Sequence, residues 1–187
     1  MSYETNRRLS AKRSPLETSV AVDSVSAGII RGAFETICYE TAVHLGRAAS
    51  SAIINQSNER NGSIIDANGR LAGISVGIPQ LLFISPMAVR WGLEHCDVDD
   101  WGPGDVFLGN DPDHGGGHLP DYTVYAPCFD PAGGLVAIQA LQAHQGDTGG
   151  KDPGGFSVDS LDIFHEGLPI PRLKLVHRGR SRSDVVD

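Results

Sequence analysis

Two strand-like runs joined by a short turn constrain the fold of this chain more than any other feature. Residues 122–129 and 135–143 are rich in apolar and aromatic side chains, and the segment "DPAGG" separates them. Runs of this kind on either side of a Gly-containing loop predict an antiparallel hairpin. With the turn inside that segment, counting back along the strands puts Asp121 opposite a residue near Gln142.

The stretch "NDPDHGGGHLPDYTVY" leads into the first of these strands and is dense in Asp, His and Gly. Side chains two residues apart on a strand share a face, and diagonal neighbours across a hairpin lie within about 7–8 Å. His118, Asp121 and His144 therefore converge at one end of the hairpin. A one-residue slip in register would turn His144 to the opposite face. Pro120 fixes the elbow "HLPD" that presents His118 and Asp121.

Two imidazoles and a carboxylate with room for water form a ligand set for zinc, manganese or iron. An open coordination position is what catalysis at such a site would need. The residues also allow an acidic surface turn, in which Asp111, Asp113 and Asp121 are turn or capping carboxylates. In that alternative His144 is a buried, hydrogen-bonded histidine. Spacing alone does not choose between the two.

The remaining patterns predict an α+β fold. Apolar residues recur at helical spacing from Asp23, an N-cap candidate, to about residue 48, which predicts one long N-terminal helix. The Asn-Gly pair at 68–69, between short apolar segments, predicts a second hairpin. Ser85 followed by Pro86 predicts the start of another helix. We therefore expect a long helix followed by a mixed, mainly antiparallel sheet with hairpins and long Gly/Pro-rich loops.

Composition argues against several classes of protein. The net charge is −8, and residues 15–171 hold 6 Lys and Arg against 20 Asp and Glu, so the body of the chain should repel nucleic-acid phosphates. No apolar run approaches the roughly 20 residues that cross a bilayer. The three cysteines are far apart and form no C-x-x-C pair, which favours a reducing, cytoplasmic setting. Residues 1–20 contain four basic side chains and predict a flexible basic arm.

The motifs "GDVFLGNDPDHGGGHLPDYTV", "AHQGDTGG" and "IFHEGLPIPRLKLVHRG" follow one another along the chain. In sequence and in order they resemble the B-type subunit of the ATP-dependent hydantoinase and oxoprolinase family. That family includes the alpha subunit of acetone carboxylase and related subunits of acetophenone carboxylase. The upstream segment "SAIINQSNERNGSIIDANGRLAG" is also similar to the family's N-terminal region. The resemblance predicts a hydantoinase B-like N-terminal domain at 21–179, followed by a tail at 180–187.

The resemblance implies a set of site residues. His118, Asp121 and His144 would ligate a divalent metal, manganese in the acetone carboxylase branch and zinc elsewhere. Asp147 would stand beside that centre as an acid/base carboxylate. The loop and the substrate pocket would be shaped by Asn110, Asp111, Gly116, Gly117 and Glu166. One departure from the family pattern is Gly117, which stands where the family usually has Thr.

The resemblance also implies partners and a reaction. An ATP-binding hydantoinase A-like subunit would phosphorylate a carbonyl, amide or enol, and this chain would receive the activated small molecule. The expected reactions are hydrolysis of a cyclic amide, such as hydantoin, oxoproline or a lactam, and carboxylation of a ketone. Family members are several hundred residues long, so this chain would be a split gene product, a fragment, or a paralogue that needs a further chain to complete its pocket. The alternative function is a non-catalytic binding or assembly subunit of such a complex.

Overall fold

The structure of the protein, a computed structural model, describes residues 21–75, 77–97, 100–155 and 157–186. The described chain has the α-helices α1 (Ser24–Ala48), α2 (Ala52–Asn55), α3 (Pro79–His95) and α4 (Ser183–Val186). Its β-strands are β1 (Arg60–Asp66), β2 (Leu71–Ile74), β3 (Val106–Gly109), β4 (Asp121–Phe129), β5 (Leu135–His144), β6 (Leu173–His177) and β7 (Arg180–Ser181). Short 3-10 helices lie at Pro112–His114 and Ile163–His165. The predicted α+β class is confirmed.

The long helix α1 begins where the sequence predicts. Asp23 has an extended backbone, and its Oδ1 accepts hydrogen bonds from the backbone N–H groups of Val25 and Ser26, both at 3.0 Å. These bonds satisfy two of the four N–H groups that a first helical turn leaves without intrahelical partners. The helix then runs for 25 residues and leads into the sheet.

The strands form one sheet in the order β2-β1-β5-β4-β3-β6-β7. Every pairing between neighbouring strands of the described chain is antiparallel. β4 and β5 form the predicted central hairpin, and β1 and β2 form the hairpin predicted around Asn68 and Gly69. Because β1 pairs with β5, segments that are far apart in the sequence become neighbours in the middle of the sheet.

Helices cover the two faces of the sheet unequally. α1 packs on one face against β1 and β2, where Gly62 and Gly73 lie directly beneath Cys38 and Phe34. α3 packs on the opposite face against β1, β4 and β5. The main apolar core lies between α3 and the sheet and contains Ile65, Ala67, Val89, Leu93, Trp101, Phe107, Tyr125, Leu135, Ile138 and Ala140.

The start of α3 corrects the sequence prediction. The helix begins at Pro79, whereas Ser85 and Pro86, predicted as its cap and first position, lie inside it. The Ser85 hydroxyl is buried and donates to Gln142 Oε1 at 3.4 Å. The earlier start also buries Leu81, which is 2% exposed. Packing of this added segment therefore outweighs the hydrogen bond that Pro86 cannot donate.

A β-bulge sets the register of the β4–β5 hairpin. The register shifts by one residue between Cys128 and Phe129, as happens where one strand contains an extra residue. Asp121 consequently lies opposite His144, where counting from the turn had placed it near Gln142. The structure thus corrects the predicted register and brings Asp121 and His144 closer together than expected.

The two ends of the chain differ in what the structure describes. The predicted basic arm, residues 1–20, lies outside the described residues. At the other end β7 (Arg180–Ser181) pairs with β6 and the short helix α4 follows it, while the division into domain and tail at 179 stays a prediction. Among the helices of the described chain, none is both long and apolar enough to cross a membrane.

Candidate metal centre

The β4–β5 hairpin places Asp121 and His144 directly across from each other. Asp121 is the first residue of β4, His144 is the last residue of β5, and the two are paired in the sheet. Paired residues of antiparallel strands point to the same face, with their Cβ atoms about 4.5–5.5 Å apart. That face is the one covered by α3, because Gln142 on the same face of β5 accepts a hydrogen bond from Ser85 of α3.

His118 reaches the same point from the elbow that precedes β4. The backbone N–H of Asp121 donates to the His118 carbonyl at 2.9 Å, which closes a tight turn around Leu119 and Pro120. Leu119 is fully buried, and its carbonyl accepts a hydrogen bond from Asn110 Nδ2 at 2.7 Å. Both the apex of the elbow and its ends are therefore fixed, so His118 is presented by a rigid turn.

The three side chains meet around the Asp121 carboxylate. His118 Nδ1 lies 2.6 Å from Asp121 Oδ2, and His144 Nδ1 lies 3.2 Å from Asp121 Oδ1. One ligand atom from each of the three residues falls within 4.8 Å of the others. Asp121 and His144 are 3% and 6% exposed, whereas the His118 side chain is 27% exposed. The cluster is thus closed toward the core and open to solvent on the His118 side.

The two histidines shift the acid–base properties of the centre. The hydrogen bond to Asp121 raises the pKa of His118, against the opposing effect of partial burial, and the negative charges of Glu166 and Glu59 raise it further. Burial alone would raise the pKa of Asp121, but the hydrogen bonds from His118 and His144 outweigh it and lower that pKa. Asp121 is therefore held as a carboxylate, and His118 binds a proton more tightly than a free imidazole does.

Glu59 is a site residue that the sequence analysis missed. It directly precedes β1, and its carbonyl accepts the backbone N–H of His144 at 3.0 Å. Its carboxylate Oε2 lies 3.8 Å from His144 Nδ1 and its side chain is 32% exposed. No local motif marks this glutamate, since it reaches the centre only because β1 pairs with β5. Glu59 adds a second negative charge beside the two imidazoles.

Asn110 joins the loop that bears His118 to a distant part of the chain. Its Nδ2 donates to the carbonyls of Leu119 and Leu168, at 2.7 and 3.0 Å, and its Oδ1 accepts the backbone N–H of Ile170 at 2.6 Å. Asn110 itself is fully buried. These three bonds join the elbow at Leu119 to the segment 168–170.

Asp111 stabilises the next turn of the same loop. Its Oδ1 accepts the backbone N–H of Asp113 at 3.0 Å and its Oδ2 lies 2.8 Å from His114 Nδ1. The His114 ring packs edge-on against Trp91 of α3. Asp111 therefore caps the 3-10 helix Pro112–His114 and lies outside the His118–Asp121–His144 cluster.

Gly116 and Gly117 allow the loop to fold tightly against its surroundings. A Cβ at Gly116 would overlap the Asn110 carbonyl, and one at Gly117 would overlap Ile84 of α3 and come within 3.0 Å of Asp121 Oδ2. Any larger side chain at 117 would push on Ile84 or on the Asp121 carboxylate. The glycine that stands where the family usually has Thr is thus matched to close packing in this chain.

The structure places the two remaining predicted acids differently. Asp147 is exposed, its Oδ1 accepts the Gly149 N–H at 2.8 Å, and its charge acts on Tyr122, whose pKa is raised first by burial and then by Asp147. Asp147 is not one of the three residues grouped around a common point. Glu166 is half-buried, and its charge acts on His118. Glu166 thus contributes to the electrostatic field at the centre, whereas the contacts of Asp147 are with Gly149 and Tyr122.

The chemistry of the donors fits a divalent metal ion. Two neutral imidazoles and a buried carboxylate are ligands for zinc, manganese or iron. Metal–ligand bonds of about 2.0–2.2 Å separate opposite ligands of one ion by at most about 4.4 Å, so these donor atoms, which lie within 4.8 Å of one another, need to move together by at most a few tenths of an ångström. The carboxylates of Glu59 and Glu166 add negative potential. Among the described residues, His118, Asp121 and His144 form the cluster that meets this test.

Comparison with known proteins identifies the family. The model of the Hydantoinase B/oxoprolinase family matches residues 23–187. The chain belongs to this family. It is similar to caprolactamase subunit beta of Pseudomonas jessenii, with 32% identity over 168 residues, which covers 89% of this chain and 28% of that protein. It is also similar to 5-oxoprolinase 1 of Arabidopsis thaliana, with 33% identity over 157 residues, which covers 84% of this chain and 12% of that one.

A solved structure has the same fold. Nucleotide-free acetone carboxylase superposes with a TM-score of 0.79 at 22% identity, over 97% of this chain and 25% of the matched chain. The chain is homologous to part of an ATP-dependent enzyme, the caprolactamase of Pseudomonas jessenii, whose solved structure matches at 28% identity with a TM-score of 0.74. It spans about a quarter of the length of the caprolactamase subunit and of the acetone carboxylase chain.

Proposed function

We propose that the protein is the metal-binding part of an ATP-dependent hydrolase or carboxylase that acts on an activated carbonyl. The observation that supports this most directly is the meeting of His118, Asp121 and His144 around one point that is open to solvent on one side. Membership of the Hydantoinase B/oxoprolinase family supports the reaction class. The substrate is a cyclic amide, such as hydantoin, oxoproline or a lactam, or a ketone that is carboxylated.

The three donors would hold zinc, manganese or iron. Such an ion polarises a carbonyl oxygen or lowers the pKa of water, so it supplies electrophilic activation or a nucleophile near neutral pH. Asp121 contributes a permanent negative charge, since its pKa is lowered by the two histidines that donate to it. His118 and His144 become ligands once the proton of each coordinating nitrogen is released.

The surrounding residues position these donors and the substrate. Asn110 fixes the elbow through its bond to the Leu119 carbonyl, which keeps the His118 ring beside Asp121. Glu59 and Glu166 make the centre more negative and so favour a cation. Asp147, exposed beyond the end of β5, exchanges a proton with the reacting small molecule at the open side.

A partner activates the substrate before it reaches this centre. An ATP-binding hydantoinase A-like subunit phosphorylates the carbonyl, amide or enol, and this chain receives the activated small molecule. The described chain includes three free cysteines, Cys38, Cys96 and Cys128, and the cytoplasm as a reducing compartment is part of the same proposal.

Metal binding by the isolated chain is the first test. We expect one equivalent of zinc or manganese to bind in isothermal titration, and His144→Ala to lower the affinity at least 100-fold. His177→Ala is the matched control, because His177 also lies beside a buried aspartate, 3.2 Å from Asp105 Oδ1, but outside the cluster. If His144→Ala and His177→Ala bind metal equally well, the proposed centre is wrong.

Turnover separates an enzyme from an assembly subunit. With an ATP-binding partner subunit, ATP-dependent consumption of a cyclic amide or ketone that is lost in His144→Ala supports catalysis. A complex that forms normally, binds no metal and turns over nothing would instead identify the chain as an assembly subunit.

A further inference from the structure

A cavity of about 530 Å³ lies between the second half of α1 and the start of β1. Its apolar wall consists of Ala42 and Val43 of α1 and of Ile78, which directly precedes α3. Pockets for small molecules measure about 300–1,000 Å³ and are mainly apolar, with a few polar groups that fix the orientation of the ligand. The volume and the wall of this cavity are therefore those of a small-molecule site.

The polar part of the lining is contributed by Tyr39, Asn58 and Arg60. Tyr39 and Asn58 are exposed, and Arg60 is half-buried. Of the described lining residues, Arg60 alone carries a charge at neutral pH. The described part of the cavity therefore presents a positive charge and no negative one, which favours an anion over a cation as its ligand.

Backbone carbonyls of two helices hold the Arg60 side chain in place. Its Nε donates to the Ala42 carbonyl of α1 at 2.6 Å, and its Nη1 donates to the Ile54 carbonyl of α2. A Cβ at Gly46 would overlap the guanidinium, so this glycine lets the group lie directly against α1. The two bonds leave Nη2 without a hydrogen-bond partner among the described residues. A fixed cation with N–H groups to spare therefore borders the cavity.

The positive charge of Arg60 lacks a counter-charge within the described chain. No ion pair between described residues involves it. The carboxylate of Glu59, the preceding residue, lies on the opposite side of β1, where its Oε2 is 3.8 Å from His144 Nδ1. A partly buried cation without a partner is unfavourable, so an anion bound at Arg60 would stabilise this arrangement.

We infer that this cavity is a binding site for a small organic carboxylate. The carboxylate group bonds to Arg60, because a guanidinium donates N–H bonds in the planar geometry that a carboxylate accepts. The apolar part of the same molecule lies against Ala42, Val43 and Ile78. Inorganic phosphate could satisfy Arg60 but would leave this apolar wall uncovered, so a carboxylate with an apolar body is the better match.

The carboxylate site is separate from the candidate metal centre. Arg60 points toward α1, as its bond to the Ala42 carbonyl shows, whereas Glu59 points toward His144 on the side of the sheet that α3 covers. The backbone of β1 therefore lies between a molecule bound to Arg60 and the metal ligands. This inference goes beyond the proposed function and does not depend on it.

Isothermal titration of the metal-free chain with cyclohexanecarboxylate tests the inference. We expect one equivalent to bind with a dissociation constant below about 1 mM. The neutral isostere cyclohexanecarboxamide and inorganic phosphate should each bind at least tenfold more weakly, because the first lacks the charge and the second lacks the apolar body. Equal binding of the carboxylate and the amide, or tighter binding of phosphate than of the carboxylate, would overturn the assignment of the ligand.

Two variants locate the bound carboxylate without changing Arg60. Val43→Phe places a ring in the cavity and should lower the affinity at least tenfold, whereas Val25→Phe, at a position of α1 that is 70% exposed, should leave it unchanged. Asn58→Asp adds a negative charge to the lining and should also lower the affinity at least tenfold. Asn58 has a φ of 58°, which aspartate tolerates as well. Asn68→Asp, exposed in the turn between β1 and β2, is its control.

The position of the site is wrong if Val43→Phe and Asn58→Asp bind the carboxylate as tightly as their controls do. It is also wrong if His144→Ala loses carboxylate binding, since the molecule would then lie at the metal centre. Titration of the same samples with zinc or manganese keeps the two proposals apart. A chain that binds the carboxylate but no metal contradicts the proposed function alone, and one that binds metal but no carboxylate contradicts this inference alone.

Discussion

Two buried aspartates of this protein, Asp121 and Asp105, have similar burial and different partners. They are 3% and 2% exposed. Asp105 accepts hydrogen bonds from the backbone N–H groups of Gly102 and Arg178, at 3.0 and 2.8 Å, and from Lys174 Nζ at 2.9 Å. Asp121 is bonded instead to two imidazoles, which can lose their protons and bind a metal.

The difference separates a structural carboxylate from a ligand. Asp105 is surrounded by one lysine, two fixed backbone amides and a single exposed imidazole, that of His177 at 3.2 Å, and these groups join the 102–105 turn to β6 and the following turn. The donors around Asp121 can exchange a proton for a metal ion. A buried aspartate with a lowered pKa does not by itself indicate a metal site, because the pKa of both aspartates is lowered. The two differ in the groups that are hydrogen-bonded to the carboxylate.

Removing the Asp121 carboxylate should have the largest effect. Asp121→Asn removes the negative ligand and the acceptor that orients both histidines, so we expect metal affinity to fall at least 1,000-fold in isothermal titration. Asp105→Asn serves as the control and should bind metal as the wild type does when folded. A metal affinity that drops equally in both variants would show that the two aspartates do not differ as described.

The Asp105 variant should show the reverse pattern. Asp105→Asn leaves Lys174 close to a neutral group in a buried position, and breaking a buried ion pair costs about 3–5 kcal/mol of unfolding free energy. Lys174 is 19% exposed, so the lower end, about 3 kcal/mol, is expected in urea unfolding of the metal-free protein. A loss below about 1 kcal/mol would mean that Asp105 is not a structural clamp.

Glu59 should have a smaller effect on the metal than any ligand. Its carboxylate lies 3.8 Å from His144 Nδ1, and residues that orient metal ligands typically change affinity 10- to 100-fold when replaced. We expect Glu59→Gln to weaken metal binding about tenfold with little change in stability. Glu94→Gln, on α3, is the control. An unchanged affinity in Glu59→Gln would remove Glu59 from the site.

The dependence on pH should be the mildest effect. The raised pKa of His118 means that metal competes with a proton, so affinity should increase by up to about tenfold per pH unit and level off above that pKa. The stability of the metal-free protein should change with pH in the opposite direction to the metal affinity. The stabilisation that protonated His118 provides through its bond to Asp121 is fully present below about pH 6.5. It is lost as the pH rises through the raised pKa of His118. Affinity independent of pH between 5 and 8 would contradict this.

The sequence could predict the three-residue cluster because its members lie on one hairpin and one adjoining elbow. The turn residues "DPAGG" and the Pro120 elbow limit where His118, Asp121 and His144 can point. The bulge between Cys128 and Phe129 was not predictable from spacing, and it moved the pairing of Asp121 to His144. Local patterns thus determined the neighbourhood, and a single irregularity determined the contact.

Two features of the structure could not be predicted from local sequence patterns. One depends on the order of strands in the sheet, and the other on which of two prolines begins a helix. Glu59 reaches His144 because β1 inserts beside β5, a pairing between distant segments that no short motif encodes. Pro79 and Pro86 are both suited to begin a helix, and burial of Leu81 favours the earlier one. In both cases tertiary packing, which a sequence pattern does not contain, decides the outcome.

The bulge in the β4–β5 hairpin has a consequence for how this chain can vary. Asp121 and Phe129 are eight steps apart on β4, roughly 26 Å at about 3.3 Å per residue, so the hairpin tip is remote from the cluster. The pairing of β5 with β1, from Arg60 opposite Ala143 to Asp66 opposite Ala137, holds His144 in place independently of that tip. A change of one residue in the distal loop should therefore be absorbed at the tip, as the bulge already absorbs one, and leave metal binding unchanged.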